Sequence, residues 1–333
     1  MLTDSLLEFL GTINHHFFNA NKRLFWGYVL SSCLFVAWVW YRRGKGVPFL
    51  KYCFPKRVWL HPSARMDYWV WLINLIVKSA IIVPLLFSAA PIAIWLSQSL
   101  ETLFGPQAPW LTDRTQVLIV FTVLIFLLDD FTRFLLHWLM HKVPALWHLH
   151  AVHHSAQVLT PFTVYRLHPL ESALYACRLV LAQGLAIGLG FYLFGRGLAI
   201  FDVLGANLFV FLFNLFGSNL RHSHVWLSWG DTLENWFISP AQHQIHHSAD
   251  PMHHHKNLGS ALAIWDRLFG THMPASVVNA LSVEPSESAP SEADASKTSG
   301  KLQFGFACQP HASFRTLYLS PVLKALKALS FRH

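Results

Sequence analysis

The sequence predicts an all-α membrane protein: a polytopic transmembrane helical bundle with a cytoplasmic helical cap that holds a dinuclear metal site. Hydrophobic residues make up 53% of the 333-residue chain and charged residues only 13%, a composition too apolar for an ordinary soluble domain. Apolar runs long enough to cross a bilayer recur along the chain,. Histidines cluster in three places beside or between these runs.

Five apolar runs are candidate membrane spans, because about 20 residues of helix cross about 30 Å of hydrocarbon. They cover residues 24–40, 68–96, 115–136, 170–195 and 197–216. The second run contains Pro84 and Pro91, so we expect a kink there, or a tilted helix that ends in an interfacial turn. The fourth and fifth runs should form a hairpin that turns near Gly195 and Gly197.

The loop after the first run sets the expected orientation. It has no acid before Asp67, and its basic residues are Arg42, Arg43, Lys45, Lys51, Lys56, Arg57 and Arg65. Loops rich in Lys and Arg stay on the cytoplasmic side. Counting spans onward from this loop, all three histidine clusters fall on the cytoplasmic side. We therefore expect a multi-pass integral membrane protein with its metal site facing the cytoplasm.

Charge and cysteine content exclude several other classes of protein. The net charge of +8 is best matched by anionic lipid headgroups, because the basic residues lie beside apolar runs and form no stripe with aromatics that would suit nucleic acid. The cysteines form no CxxC pair, so neither a disulfide framework nor a thiolate metal site is expected; they are Cys33, Cys53, Cys177 and Cys308. No glycine-rich nucleotide motif is present, so no nucleotide cofactor is expected.

The three histidine clusters predict the chemistry. They are His137-x-x-x-His141, His150-x-x-His153-His154 and His243-x-x-His246-His247. Side chains three or four positions apart share a helix face, so each cluster should aim its imidazoles at one point. The eight imidazoles are too many for one ion and suit two. Imidazole binds zinc, copper, iron or nickel, and iron is favoured because it can activate dioxygen beside lipid tails.

The boxes HxxxH, HxxHH and HxxHH, in this order around a predicted transmembrane hairpin, resemble the fatty acid hydroxylase/sterol desaturase superfamily of membrane di-iron enzymes. The resemblance covers about residues 129–271. It extends to four further motifs, which are Arg166-Leu-His-Pro169 followed by Glu171, His222-Ser223, Asn257-Leu-Gly259, and Trp265-Asp-Arg-Leu-Phe-Gly-Thr271. It implies a small transmembrane helical bundle under a cytoplasmic cap that holds two metals.

Carried over by position, the resemblance implies nine metal ligands and no catalytic residue beyond them. These are His137, His141, His150, His153, His154, His222, His243, His246 and His247. The family often has Asn or an acid in place of His224, which is here a candidate tenth ligand or a substrate-facing residue. His253 and His254 could fold over the metals. The family commonly has Asp in place of His255, which we expect in a solvated surface run, and His168 should stabilise a turn or support a ligand.

Asp129 and Asp130 end an apolar run just before the first histidine box. Ionisable residues at membrane depth are functional candidates. Asp130 lies about two helical turns before His137 and could accept the second N–H of a ligand histidine. The alternative is a local ion pair between either aspartate and Arg133.

The resemblance implies a non-haem di-iron lipid hydroxylase or monooxygenase. Such an enzyme oxidises a lipid C–H bond with two iron ions, for which zinc can substitute during purification, and with dioxygen as co-substrate. The expected partners are the lipid substrate, membrane lipids and a separate electron donor, which is a reductase, a ferredoxin or a cytochrome. Lipid or sterol desaturation and ether cleavage stay open as outcomes. A membrane metal transporter is the alternative from another class, and it requires ligands that line a path through the bilayer.

The chain divides into four predicted segments. They are an N-terminal segment, 1–23; the bundle and catalytic cap, 24–275; a disordered linker rich in Ser, Ala, Glu and Pro, 276–300; and a basic amphipathic C-terminal segment, 301–333. Within the cap, residues 257–270 should form a short helix closed by Gly270. Residues 320–331 should form an amphipathic helix with Pro321 in its first turn, lying on the membrane or docked on the cap.

Overall fold

The structure is a computed structural model that describes residues 11, 14–43, 46–82, 88–195, 198–203, 206–278, 302–306 and 313–330. Most of these residues are helical. The α-helices are α1 Trp26–Arg43, α2 Phe49–Cys53, α3 Lys56–Trp59, α4 Pro62–Val77, α5 Ala90–Phe104, α6 Arg114–Lys142, α7 Pro144–His154, α8 Pro169–Phe194, α9 Leu208–Leu215, α10 Asp231–Glu234, α11 Pro240–His246, α12 Ile264–Phe269 and α13 Ser320–Ser330.

Shorter elements connect these helices. One two-residue hairpin pairs β1 (Asp202–Val203) antiparallel with β2 (Ala206–Asn207), with Asp202 opposite Asn207. Short 3₁₀ and π-helical turns are Lys78–Ile82, Pro161–Tyr165, Ser218–His222, Pro251–His253, Ala275–Val277 and Arg315–Leu319. The predicted all-α class is confirmed for the described part of the chain.

Three of the five apolar runs coincide with long helices. The first run corresponds to α1, the third to α6 and the fourth to α8. Within the described residues, α8 is the helix whose length and composition suffice for a membrane span. Helix α6 extends past the third apolar run as far as Lys142. It ends there because Val143 precedes Pro144, and a residue before proline is disfavoured in helical geometry,.

The second and fifth runs differ from the prediction. The second run is divided between α4 with its π-helical turn and α5, which begins with Pro91 in its first turn; Pro84 lies outside the described residues. In its described residues the fifth run contains the β1–β2 hairpin and α9, whose eight residues span about 12 Å and cannot cross a bilayer as a helix,. Asn207 starts this helix late, because its side chain accepts a hydrogen bond from the Phe209 N–H as an N-cap,.

Two predictions near the C-terminus are also revised. The expected helix over 257–270 is confined to α12, because Asn257 adopts a left-handed backbone with φ 54° and the residues before α12 form loops. Gly270 does close this helix, with φ 71°,. Helix α13 occupies the predicted position as far as Ser330. Most of the predicted linker, residues 279–300, lies outside the described residues.

The chain forms two compact units, the first of which comprises Met1–Arg42, Ala89–Asp129 and Leu181–Asn219. In this unit, Gly188 of α8 lies so close to α5 that an added Cβ would be 2.7 Å from the Ala93 carbonyl oxygen. A small buried cluster of Ala20, Phe25 and Tyr28 packs against Phe211 of α9. Gly188 therefore permits the close approach of α8 to α5, whereas α9 packs through aromatic side chains.

The second unit comprises Arg43–Ser88, Asp130–Val180 and Leu220–His333, and it contains all three histidine boxes. Its interior holds a buried ion pair in which Arg166 Nε donates to Asp67 Oδ1 at 2.5 Å. The same guanidinium donates to the Ser63 carbonyl at 2.8 Å and to Ser155 Oγ at 3.1 Å. These contacts tie α4 to the residue that ends α7, the helix of the second histidine box.

The C-terminal segment packs on the histidine-bearing part of the same unit. Helix α13 lies against α7, and Leu317 before it is buried with Val70 and Val152. Upstream, the Ala249 N–H donates to the Gln303 carbonyl at 2.7 Å. Helix α13 is therefore docked on the cap, which is one of its two predicted placements.

Candidate metal centre

Three helices position the histidine boxes. His137 and His141 lie one turn apart near the end of α6, and the second box occupies the end of α7. The third box lies on α11, which starts at a capping box: Ser239 Oγ accepts from the Gln242 N–H, and the Gln242 side chain accepts from the Ser239 N–H,. This cap, with proline at the first helical position, fixes where α11 begins.

The nine predicted ligands meet in two adjacent groups. In each group every residue offers one nitrogen, and these nitrogens all lie within 4.8 Å of one another. The five-histidine group is His137, His141, His150, His154 and His246, and the four-histidine group is His153, His222, His243 and His247. The groups touch, since the rings of His154 and His247 stack with centroids 4.7 Å apart.

Each HxxHH box is divided between the two groups, contrary to the expectation that one box aims at one point. His150 and His154 belong to the five-histidine group, whereas His153 between them belongs to the four-histidine group. The third box is divided the opposite way, with His246 apart from His243 and His247. The reason is helical geometry, because consecutive residues of an α-helix point about 100° apart. The last two histidines of each box are consecutive, so they point in different directions and reach different groups.

Distances within the groups suit metal coordination. His222 Nε2 lies 3.0 Å from His247 Nε2 and 3.1 Å from His243 Nε2, and His137 Nε2 lies 3.0 Å from His150 Nε2. Nitrogens bound to one ion at about 2.0–2.1 Å lie roughly 3.0–3.4 Å apart. His141 Nε2 and His246 Nε2 are buried without a hydrogen-bond partner, which is costly unless a cation takes that place.

The electrostatics of the site keep the imidazoles neutral. Burial, together with the neighbouring His137 and Arg166, lowers the pKa of His153 to about 3. Burial, together with neighbouring imidazoles, also holds the pKa of His154 and of His247 well below the usual 6.5. Neutral imidazole has a free lone pair at neutral pH, and this is the form that binds a metal.

The outward nitrogens of three histidines in the five-histidine group are fixed by protein acceptors. His137 Nδ1 donates to the Leu258 carbonyl at 2.7 Å, and His246 Nδ1 donates to the Lys256 carbonyl at 2.9 Å. His150 Nδ1 donates to Glu171 Oε1 at 2.7 Å, and Glu171 is fully buried. These acceptors hold the tautomer in which Nε2 carries the inward lone pair.

A buried aspartate holds the loop that supplies two of these acceptors. Asp266 accepts hydrogen bonds from the Leu258 and Gly259 N–H groups, both at 2.7 Å, and from Thr271 Oγ1 at 2.6 Å. An added Cβ at Gly259 would lie 2.6 Å from Asp266 Oδ2, so only glycine fits there. These contacts explain physically why the motifs Asn257-Leu-Gly259 and Trp265 to Thr271 accompany the histidine boxes.

Asp130 supports the same region of the cap. Its carboxylate accepts from the Ala261 N–H at 2.8 Å, from the Leu262 N–H at 3.0 Å and from Trp265 Nε1 at 3.0 Å. Both oxygens are therefore engaged by the segment that leads into α12. None of these bonds reaches a histidine, so the expected role of Asp130 in orienting a ligand histidine is not observed.

The remaining candidate histidines lie outside both groups. His224 Nε2 contacts the Tyr52 carbonyl at 2.7 Å. His168 stabilises a turn, because its Nδ1 accepts from the Leu170 N–H at 3.1 Å while its Nε2 donates to the Tyr318 carbonyl at 2.9 Å. His253 is half-buried and His254 is exposed, and neither contributes to a group.

A cavity of about 440 Å³ opens onto both histidine groups. Its walls include His154 and His246 from the five-histidine group and His247 from the four-histidine group. Trp147 and Phe306 add apolar surface, and Phe306 comes from the C-terminal segment. A small organic group could therefore reach both histidine groups from one opening.

Comparison with known proteins agrees with this geometry. Residues 122–271 match the family model for fatty acid hydroxylase. An alkylglycerol monooxygenase of Caenorhabditis elegans is 26% identical over 171 residues, which is 50% of this chain and 28% of that protein. Ornithine lipid hydroxylase OlsE of Rhizobium tropici is 31% identical over 153 residues, 46% of this chain and 42% of that protein. Very-long-chain aldehyde decarbonylase GL1-9 of Oryza sativa subsp. japonica is 25% identical over 175 residues, 52% of this chain and 60% of that protein.

The described residues form a helical protein with two adjacent groups of histidines, each of which could hold a metal ion. With the matches above, residues 122–271 belong to the fatty acid hydroxylase superfamily, and the family resemblance of the motifs is confirmed. The matched segment covers less than two thirds of the length of each of these relatives. No solved structure matches the chain.

Proposed function

We propose that this protein is a membrane-bound di-iron oxygenase that hydroxylates, or otherwise oxidises, a C–H bond of a lipid. The observation that carries this proposal is the pair of adjacent buried histidine groups, whose nine inward nitrogens suit two ions,. The nine histidines are the proposed ligands. When bound, two iron ions supply the dioxygen-dependent oxidation of an unactivated C–H bond, with electrons from a separate donor protein.

The residues of the chain prepare the site for that chemistry. Neutral, buried imidazoles present their lone pairs at neutral pH, and the Leu258 and Lys256 carbonyls together with Glu171 hold the ring orientations,. Trp147 and Phe306 give the opening apolar surface that an acyl chain can contact. A reacting carbon is held near the metals by the same cavity, which has the volume of an ordinary ligand pocket.

A lipid substrate is supported by the relatives and by the setting. An alkylglycerol, an ornithine lipid and a very-long-chain aldehyde appear in the names of three relatives. Metal transport is less well supported, because the histidines converge on one compact centre and do not line a path across a membrane,.

The proposed location is a membrane, with several spans and the metal centre on the cytoplasmic side. Helix α8 supports this placement, as does α13, which leaves Leu323 and Leu326 56% and 58% exposed beside Lys324. Such a leucine face with basic neighbours suits an anionic lipid surface. The protein should stay with membranes during alkaline carbonate extraction; its release into the supernatant would contradict this part of the proposal.

The function is tested on full-length protein purified without chelators. We expect about two irons per chain by metal analysis and a Mössbauer spectrum of non-haem iron. Mass spectrometry of lipids from expressing cells should show products that gain one oxygen. A loss of two hydrogens would indicate a desaturase, and cleavage products of ether lipids would indicate ether cleavage. An iron-loaded protein that changes no lipid would remove the proposal.

A further inference from the structure

A fourth histidine of the five-histidine group has an unusual outward partner. His141 Nδ1 lies 3.2 Å from His255 Nδ1, and the two rings are nearly perpendicular, at 88° with centroids 5.4 Å apart. His141 Nε2 is buried and has no hydrogen-bond partner. The inward nitrogen is thus Nε2, and the nitrogen facing His255 is the one that carries a proton in the metal-binding tautomer.

The backbone around His255 holds it in this place. His255 has φ 61° and Asn257 has φ 54°, a left-handed conformation that is uncommon for residues other than glycine, although Asn, Asp and His adopt it more readily than most. The Lys256 carbonyl, between these two residues, accepts a hydrogen bond from His246. The Leu258 carbonyl, just after them, accepts one from His137. The stretch 255–258 therefore contacts the outward nitrogens of three of the five histidines.

We propose that His255 is a positioning residue for the metal centre: its Nδ1 accepts the His141 Nδ1–H and so directs His141 Nε2 toward the ion. This inference rests on the proposed metal-binding function. His255 is exposed and lies outside both groups, so it acts through His141 and does not bind the ion. Within the stretch 255–258, His255 contacts the metal-centre histidines through its side chain, so a substitution can remove this contact. Lys256 and Leu258 contact them through backbone carbonyls, which a substitution leaves in place.

The test measures metal retention on the full-length protein loaded with cobalt(II), whose visible spectrum reports coordination. His255→Gly removes the imidazole and is tolerated by the left-handed backbone. In His255→Asn and His255→Asp, Oδ1 stands about where Nδ1 stood and can accept the same hydrogen bond, and both residues tolerate this backbone. His254→Ala is the matched control, because His254 is an exposed neighbour outside both groups.

We expect His255→Gly to weaken the affinity for one of the two cobalt ions by about 10- to 100-fold in competition with a chelator, and to change the cobalt spectrum. His255→Asn and His255→Asp should retain the ion, and His254→Ala should match the wild type. The inference is overturned if His255→Gly retains both ions, if the Asn and Asp variants lose the ion as Gly does, or if His254→Ala loses it equally.

Failure of the proposed function gives a different result. A wild-type protein that binds two cobalt ions but, loaded with iron, oxidises no lipid would contradict the function. The role of His255 would then still be decided by the chelator competition, because that measurement does not depend on turnover.

Discussion

Replacement of His246 with alanine is expected to abolish lipid oxidation and to reduce bound iron from about two ions per chain to about one. His246 is central to the five-histidine group: its ring centroid lies 4.7 Å from that of His137, 4.9 Å from that of His141 and 4.6 Å from that of His154. The change removes an inward nitrogen and leaves a gap that water can enter. Metal analysis and product formation on the same purified sample measure both effects.

The matched control for this variant is His224→Ala. His224 is also largely enclosed and also contacts a backbone carbonyl, that of Tyr52, but it lies outside both histidine groups. The control should lose some stability and keep its iron. Full activity in His246→Ala would refute the assignment of this histidine as a ligand, and equal iron loss in His224→Ala would show that the effect is one of folding.

Replacement of Asp67 with alanine is expected to lower the free energy of unfolding by about 3–5 kcal/mol, because it leaves the guanidinium of Arg166 buried without its carboxylate. Both side chains are completely buried, so water cannot take over the role of Asp67. Thr163, whose Oγ1 donates to Asp67 Oδ2 at 2.7 Å, loses its acceptor as well. Thermal and denaturant unfolding of the purified protein measure the change.

Two further variants separate charge burial from loss of packing. The double variant Asp67→Ala with Arg166→Met removes both charges and should recover much of the stability. Asp231→Ala, at an exposed aspartate, should change stability little. If Asp67→Ala were as stable as the wild type, the buried pair would not be what ties α4 to the end of α7.

Sequence patterns predicted the elements that depend on local physics. The apolar runs at 115–136 and 170–195 became α6 and α8, because an apolar run of this length without an internal proline favours a helix. The histidines were found because ligand side chains are visible as residue types at helical spacing. The family resemblance added His222, which no spacing pattern indicates.

The parts that sequence patterns missed depend on long-range contacts. The Leu258 and Lys256 carbonyls are backbone groups, so no residue type marks them as acceptors for His137 and His246. His255 was expected in a solvated run, and only the left-handed backbone turns its ring toward His141. Glu171 was indicated only as part of a family motif, with no partner assigned to it. The sequence shows a glutamate at position 171, but it does not show that this carboxylate is buried against His150, 21 residues away.

The division of each HxxHH box has a mechanical consequence. Helices α7 and α11 each contribute nitrogens to both histidine groups, so a rotation of either helix about its axis would displace histidines of both groups at once. The spacing between two ions bound in these groups would thereby be set by the backbones of α7 and α11 and not by any single side chain. Two ions bound in the proposed way would therefore keep their separation when a substrate enters or a product leaves.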